Sequence, residues 1–198
     1  MISHWGGSFF SRLLVVGLMF TLAGCETGYF WSVESLGFKR QDIFINSTGN
    51  LRDELRSSEK LLRQFSEPST TSRTDAKALV SQLGAQVSML KKQNRTFKRR
   101  GNIWLSTLER KGGFQAVNGF GLAELTRSVE SLQKRSRETI ESVEALRKSA
   151  KKAMKTDFSG FSSDFVQSVN QQIDELQRLE KSIHELSFTI ESQTRANS

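Results

Sequence analysis

The chain has 198 residues, of which 29 are Lys or Arg and 21 are Asp or Glu, so its formal net charge is +8. Its single cysteine excludes a disulfide within the chain, and its stability must therefore come from packing. One proline and many helix-favouring residues predict a helical chain, long enough for one domain with a substantial core.

The first 24 residues have the pattern of a secretory signal that ends in a lipobox. Arg12 precedes the largely apolar run Leu13–Leu22, and two small residues, Ala23 and Gly24, then precede Cys25. We expect cleavage before Cys25 and attachment of a diacylglyceryl group to its thiol. The lipobox residues are Leu22, Ala23 and Gly24, and the lipidated residue is Cys25.

Two other interpretations of this segment stay open. It could be an ordinary signal peptide followed by an incidental cysteine, or it could be an uncleaved membrane helix. The apolar run is about half of the roughly 20 residues that a membrane-spanning helix needs. The pattern therefore predicts an exported protein that is anchored by lipid in a bacterial envelope. Glu26, rather than aspartate, at the second mature position favours the outer membrane where the host has one.

Residues 25–40 predict a lipidated N-terminus followed by an aromatic segment close to the membrane. Only three residues separate Cys25 from Tyr29, Phe30 and Trp31, and Phe38 follows. These aromatic side chains could form a belt at the membrane interface, or they could cap one end of the helical body. In either case the folded body is expected to begin at the bilayer surface.

Residues 41–192 predict long amphipathic helices, because apolar or small residues recur every three or four positions. The first helix is predicted over about 41–65 and ends before Pro68, since proline removes a backbone donor. Thr74 or Asp75 is expected to cap the second helix. In chain order the four stripes are Leu51, Leu55, Ser58, Leu62 and Phe65; Ala76, Val80, Leu83, Val87, Leu90, Asn94, Phe97, Gly101, Trp104 and Leu108; Leu122, Leu125, Val129, Leu132, Ser136, Thr139, Val143, Leu146, Ala150 and Ala153; and Leu176, Leu179, Ile183, Leu186 and Ile190.

The stripes and the segments between them predict how these helices are arranged. Asn94 interrupts the second stripe, where an amide commonly fixes register or the number of partner helices. The glycine-rich segment 112–121 is expected to turn the chain, with Phe114 and Phe120 folding back on the bundle end. The fourth helix is predicted over about 163–191, and a polar tail over 193–198. The predicted fold is all-α, an elongated antiparallel helical bundle or coiled coil of three to four long helices.

The residue types offer little catalytic chemistry. His184 is the only histidine after the predicted signal, too few for a catalytic triad of identifiable order or for a metal site of three or four ligands. The glycine-rich segment lacks the Gly-Lys-Ser/Thr ending of a phosphate-binding loop. The acidic residues of the last helix are scattered over solvated positions. We therefore expect no enzyme activity, no catalytic residue, no metal and no cofactor. Those acidic residues are Asp174, Glu175, Glu180 and Glu185.

Two basic clusters are the candidate anion-binding residues. Most of them point outward on the frame set by the stripes, so they could hold anionic lipid, lipopolysaccharide or cell-wall polymer by summed electrostatics. They could equally be an ordinary solvated exterior. Export argues against nucleic acid as a partner. The candidates are Lys91, Lys92, Arg95, Lys98, Arg99 and Arg100 in the first cluster and Arg147, Lys148, Lys151 and Lys152 in the second, with Arg110, Lys111 and Lys155 extending them.

Several short patterns are shared with a known family. They are an aromatic start followed by a Glu, a Gly and the stretch Lys-Arg-Gln-Asp-Ile, in which Gln41 is an insertion relative to the family, a Trp-Leu pair, an Arg/Ser-rich third helix and the spacing of one methionine and three phenylalanines. The residues are Tyr29, Glu34, Leu36, Gly37, Lys39, Arg40, Asp42, Ile43, Trp104, Leu108, Met154, Phe158, Phe161 and Phe165. With these the chain resembles the domain-of-unknown-function 2959 family of coiled-coil envelope lipoproteins. The resemblance implies a helical, coiled-coil fold and no known activity.

Three functional hypotheses follow. The first is a non-enzymatic envelope lipoprotein that acts as a structural or scaffolding helical rod, anchored through Cys25. The second is an anion-binding module or chaperone-like adaptor that uses the basic helix faces. The third, an enzyme, needs a convergent polar pocket that the sequence does not predict. The expected partners are the membrane, anionic envelope polymers or another coiled-coil protein, and the oligomeric state stays open.

Overall fold

A computed structural model describes residues 39–67, 72–111, 121–155 and 158–196, with only the backbone for Lys111 and for residues 193–196. The described residues form four helices, α1 (Arg40–Phe65), α2 (Arg73–Lys111), α3 (Leu122–Ala153) and α4 (Ser163–Ala196). The longest, α2, has 39 residues and extends about 58 Å at a rise of ~1.5 Å per residue. The lipobox with Cys25, the aromatic residues 29–31 and 38, and residues 112–120 of the glycine-rich segment lie outside the described residues.

The chain divides into two units, Met1–Ile43 and Phe44–Ser198. Of the first unit the structure describes only Lys39–Ile43, the beginning of α1. There the backbone N–H of Lys39 donates to Asp42 Oδ2 at 3.1 Å, which places a carboxylate at the positive end of the helix. The second unit contains the rest of α1 and the whole of α2, α3 and α4.

The helix boundaries differ from the predicted ones at two places. The cap of α2 is Ser72, whose Oγ accepts from the N–H of Thr74 at 3.1 Å, so the prediction of Thr74 or Asp75 as the cap was wrong. A short hydroxyl one position before the helix reaches the free N–H groups of its first turn, which a side chain inside that turn does not. The other difference is that α4 continues to Ala196, because Gln193–Ala196 contain neither proline nor glycine to stop it.

Neighbouring helices run antiparallel, since residue numbers rise along one helix where they fall along the next. Side chains of α1 meet those of α4 in this way, α2 meets α3, and α3 meets α4, while Phe44 and Glu54 join α1 to α2. Each helix therefore lies beside two others, which confirms the predicted antiparallel all-α bundle. The joining pairs are Thr48 with Ser187, Arg56 with Glu180, Ser66 with Asn170, Asn94 with Ser136, Asn102 with Gln133, Thr139 with Gln172, Arg135 with Ser182, Phe44 with Phe97, and Glu54 with Gln86.

The predicted stripes form the core of this bundle. Every residue predicted on the α1 and α4 stripes is buried, and so are most of those on α2 and α3. Leu108, Leu122 and Leu146 are partly buried against the same core. The stripes did not include several core residues at adjacent helical positions, which fill the space where a helix meets its second neighbour. Those residues are Phe44, Leu79, Leu105, Ile140, Met154, Val169 and Ile173.

Aromatic side chains fill the core at two levels of the bundle. At one level Phe44 of α1 stacks on two rings of α2, with ring centroids 5.5 Å from Phe97 and 5.0 Å from Trp104. At the other level Phe65 of α1 lies 5.3 Å from Phe161 and 6.0 Å from Phe165. The phenylalanines that precede and begin α4 therefore pack over the end of α1.

The middle of the bundle is more polar. Ser136 and Thr139 of α3 are buried, and Ser136 Oγ donates to Asn94 Oδ1 at 2.8 Å. The amide in the α2 stripe thus has a hydrogen-bond partner on the facing helix. The hydroxyls of Thr48 and Ser187 form a similar bond of 2.6 Å between α1 and α4. Within the described residues, no helix combines the length and the apolar character needed to cross a membrane.

Candidate anion-binding surfaces

The first basic cluster lies on the outer side of α2. Lys91, Lys92, Arg95, Lys98 and Arg99 are exposed. Positions 91, 95 and 98 are separated by four and three residues, and position 92 is three residues before position 95, so these side chains are neighbours on the helix surface. Lys91 and Lys98 directly follow the buried stripe residues Leu90 and Phe97, and adjacent positions on a helix are rotated by about 100°. The basic side of α2 therefore lies beside the buried stripe and not directly opposite it.

The cations of this cluster differ in their pairing. Lys91 Nζ lies 4.0 Å from Glu144 of α3. Lys92, Arg95 and Lys98 form no ion pair with any side chain in the described parts of the chain. We name these three residues the α2 basic face. Their charges are available to a partner outside the bundle.

The second basic cluster lies at a different level of the bundle. Arg147 of α3 packs on Gly84 of α2, and Arg73 at the start of α2 donates from Nη2 to the carbonyl of Met154 at 2.6 Å. Gly84 and Arg95 are 11 positions apart on α2, or about 16 Å along the axis. Most of the two clusters therefore lies on separate surfaces, and these surfaces meet at Glu144, which contacts Lys91 of the first cluster and Arg147 of the second.

The second cluster is itself divided between two grooves. Lys152 faces the groove beside α4, together with Asp164, whereas Arg147 and Lys151 face the groove beside α2. We name the latter the α2–α3 groove, and its volume is about 440 Å³. Its lining residues are Arg73, Lys77, Val80, Ser81, Arg147, Lys151, Met154 and Lys155.

Sequence reasoning missed Arg73 and Lys77 as members of a basic site. They belong to the first two turns of α2, far in sequence from either cluster. The antiparallel register brings them beside the end of α3, where Lys151 and Lys155 lie. The signal was present in the sequence as two rows of cations spaced by four residues, Arg73 with Lys77 and Arg147 with Lys151 and Lys155. Only the register shows that the rows face each other.

The α2–α3 groove combines a cationic rim with an apolar floor. No acidic side chain of the described residues lines it, and Val80 and Met154, each 6% exposed, form its floor. Glu144 lies one turn before Arg147 and accepts from Arg147 Nη2 at 2.7 Å and from Nε at 3.2 Å. These bonds lower the pKa of the Glu144 carboxyl below its ordinary value and raise that of Arg147. Arg147 is therefore neutralised locally.

His184 and two of the acidic residues of α4, Glu175 and Glu180, contact side chains of other helices. Arg52 Nη1 donates to His184 Nδ1 at 2.8 Å. Glu180 pairs with Arg56 at 2.6 Å, and Glu175 with Arg135 at 3.4 Å. No group of three or more possible metal ligands occurs within the described ranges. The structure thus gives Glu175 and Glu180 a role in joining neighbouring helices, whereas Asp174 and Glu185 are exposed and Glu185 pairs with Lys181 of α4 itself.

Comparison of the chain with models of protein families, with curated proteins and with solved structures finds no match. The resemblance to the domain-of-unknown-function 2959 family therefore stays a prediction from the short patterns quoted above.

Proposed function

We propose that the protein is a non-enzymatic, lipid-anchored scaffold of a bacterial envelope. The observation that carries this proposal is the short distance in sequence between the lipobox and a fully packed helical bundle. Fourteen residues lie between Cys25 and the start of α1 at Arg40. Even a fully extended chain of this length spans at most roughly 50 Å. A lipid on Cys25 would therefore hold the bundle close to the membrane surface.

The packing of the bundle supports a structural role. Its apolar stripes pack on one another, and some of its acidic side chains bond to a neighbouring helix, as for Glu180 with Arg56 and Glu54 with Gln86. A helix of 39 residues also provides a long surface for a partner. These features suit a body that holds other envelope components at a set place.

Intact-mass analysis of the membrane fraction tests the anchor. We expect the wild-type chain to begin at Cys25 with the added mass of a diacylglyceryl group or a further acylated form. Cys25→Ser should be neither lipidated nor cleaved there, whereas the control Thr27→Ser should be processed normally. A wild-type chain that retains residues 1–24, or that is cut before Cys25 and carries no lipid, would count against this proposal.

The α2 basic face supports a second candidate function, the binding of anionic envelope polymers or lipids. Its three cations, Lys92, Arg95 and Lys98, are exposed and lack ion pairs within the described residues. Each Lys or Arg near an anionic membrane surface contributes about 1 kcal/mol to binding. Three such residues can change an affinity by about a hundredfold.

Cosedimentation with anionic vesicles tests this second candidate. The triple variant Lys92→Gln, Arg95→Gln and Lys98→Gln should bind much more weakly, and wild-type binding should fall as salt increases. A matched control changes the same charge at three exposed cations that already pair with acids on their own helix. These are Lys134, Arg137 and Lys181, each replaced by Gln. Equal losses in both triple variants would show a response to net charge alone.

A further inference from the structure

The α2–α3 groove is lined by five cations, which is more positive charge than the contacts within the described residues balance. Arg73 and Lys77 are spaced by four residues on α2, as are Lys151 and Lys155 on α3, and like charges at this spacing repel each other. The antiparallel register adds repulsion between the two helices. Within the described residues only Arg147 of the lining cations has a carboxylate partner, Glu144.

The contacts of Arg73 show how the two helix ends meet at this groove. The guanidinium donates from Nη2 to the carbonyl of Met154, which belongs to the negative end of α3. A guanidinium has five N–H donors, so others remain for a ligand. Arg73 therefore donates a hydrogen bond to a free carbonyl at the end of α3 and also lines the groove.

The volume and lining of the groove suit an anion that is larger than a phosphate group and carries apolar atoms. A volume of about 440 Å³ exceeds the size of a single phosphate group and lies in the range of pockets for small organic ligands. Val80 and Met154 offer apolar surface at the floor, while Lys77, Lys151 and Lys155 offer charge at the rim. A phosphate monoester has a charge of about −1.5 to −2 at neutral pH, which several lysines together can balance.

From this combination we infer that the α2–α3 groove binds the phosphomonoester headgroup of an anionic lipid. The phosphate lies among Lys77, Lys151 and Lys155, with Arg73 as a further donor. The glycerol and the first methylenes of the lipid lie against Val80 and Met154. This site requires the bundle alone and does not rest on the lipid anchor at Cys25.

Titration of the full-length protein in neutral detergent with short-chain lipids tests the site. Dioctanoyl phosphatidic acid should bind, whereas dioctanoyl phosphatidylcholine, whose headgroup has no net charge, should bind at least tenfold more weakly. Inorganic phosphate, which cannot use the apolar floor, should also bind at least tenfold more weakly. Equal affinity for inorganic phosphate would assign the groove to a soluble anion and overturn the lipid as its occupant. Equal affinity for phosphatidylcholine would overturn the role of charge.

Variants locate the binding in the groove. Lys77→Gln, Lys151→Gln and Lys155→Gln together should weaken phosphatidic acid binding by about 30-fold or more, whereas the same number of changes on the α2 basic face should leave it within about threefold. Because all three lysines are exposed, the variant should keep its helical circular dichroism and melting temperature. Losses of the same size in the two triple variants would overturn the assignment to the groove.

A single charge placed in the groove gives an independent test. Ser81 is exposed and lines the groove, so Ser81→Asp introduces repulsion without a change in the core. The control is Ser88→Asp on the same helix, at a position that does not line the groove. Only Ser81→Asp should reduce binding. The Cys25→Ser chain should bind the lipid like wild type, so a failure of the anchor and a failure of the groove are separate outcomes.

Discussion

Asn94 and Ser136 form a hydrogen bond of 2.8 Å between α2 and α3 in the middle of the bundle. Asn94 occupies a position of the apolar stripe between Leu90 and Phe97, and Ser136 is fully buried. Among the described residues, this pair joins two stripes that are otherwise mainly apolar. A polar group in such a position favours the one register in which both partners meet.

We expect this pair to contribute a measurable coupling energy. Asn94→Ala and Ser136→Ala should each lower the free energy of unfolding by about 1–2 kcal/mol, because one leaves the buried Ser136 hydroxyl and the other the partly buried Asn94 amide without its bond. The double variant should lose about 1 kcal/mol less than the sum of the two. Urea unfolding of the four proteins measures this difference. Strictly additive losses would show that the bond contributes nothing of its own.

Two glycines in helix interiors should respond in opposite directions to replacement by alanine. Alanine favours a helix by about 1 kcal/mol over glycine. A Cβ at Gly49 would meet nothing within 4 Å, so Gly49→Ala should be stabilising by up to that amount. A Cβ at Gly101 would lie 3.0 Å from Phe44 Cε2 and 3.3 Å from Val129 Cγ1. Such overpacking costs about 1–3 kcal/mol, and Gly101→Ala should be destabilising.

The two melting temperatures, compared with that of wild type, check this prediction. Phe44 cannot move aside easily, because it is fully buried and stacks on Phe97 and Trp104. An increase in stability for Gly101→Ala would show that the aromatic stack can shift at little cost.

Removal of the Phe44 ring should strongly destabilise the bundle. Phe44→Ala would leave a cavity between α1 and α2 and should cost about 3–5 kcal/mol. Phe188 of α4 is 65% exposed, and Phe188→Ala should change stability by less than about 0.5 kcal/mol. Denaturant unfolding of both variants measures the contrast. Similar effects in the two would mean that the aromatic stack does not stabilise the fold.

The bond between Glu144 and Arg147 should make stability depend on pH. Hydrogen bonding to Arg147, with added attraction from Lys91 and Lys148, lowers the pKa of Glu144 below 4.5, although burial opposes this. A lowered pKa in the folded state stabilises the fold above the unfolded-state pKa, and this stabilisation is lost as the pH falls through the folded-state pKa. Glu144→Gln should therefore be less stable than wild type at pH 7.

The difference between wild type and Glu144→Gln should shrink as the pH is lowered from about 5 towards the folded-state pKa. Urea unfolding at several pH values measures it. A difference that stays constant down to strongly acidic pH would show that the ionised carboxylate is not its source.

The sequence predicted the fold well because its apolar periodicity is regular. The stripe from Leu51 to Phe65 and the stripe from Leu176 to Ile190 are buried at every predicted position, and helix periodicity alone identifies such positions. The cap at Ser72 was missed, since several short polar residues precede α2 and local sequence does not rank them. Phe44 was missed because its burial depends on contacts with Phe97 and Trp104 of another helix.

The candidate surfaces were predicted less completely. The exposure of Lys92, Arg95 and Lys98 follows from their positions relative to the α2 stripe, and the sequence alone was sufficient to predict this exposure. The α2–α3 groove forms because Arg73 lies beside the end of α3. That contact depends on the register of α2 against α3, which the composition of the chain does not reveal. A cluster that is continuous in sequence, such as 147–155, can also be divided between two sides of a helix.

The bond between Thr48 and Ser187 joins residues 139 positions apart in the chain. The chain emerges with α1 first and α4 last. The helix α1 can therefore pack against α4 only after nearly the whole chain has emerged. The α2–α3 hairpin, with contacts between closer residues, can close earlier. Before α4 packs against α1, the side chains of Leu51, Leu55 and Leu62 are not fully buried. In that interval α1 is most exposed to aggregation and proteolysis.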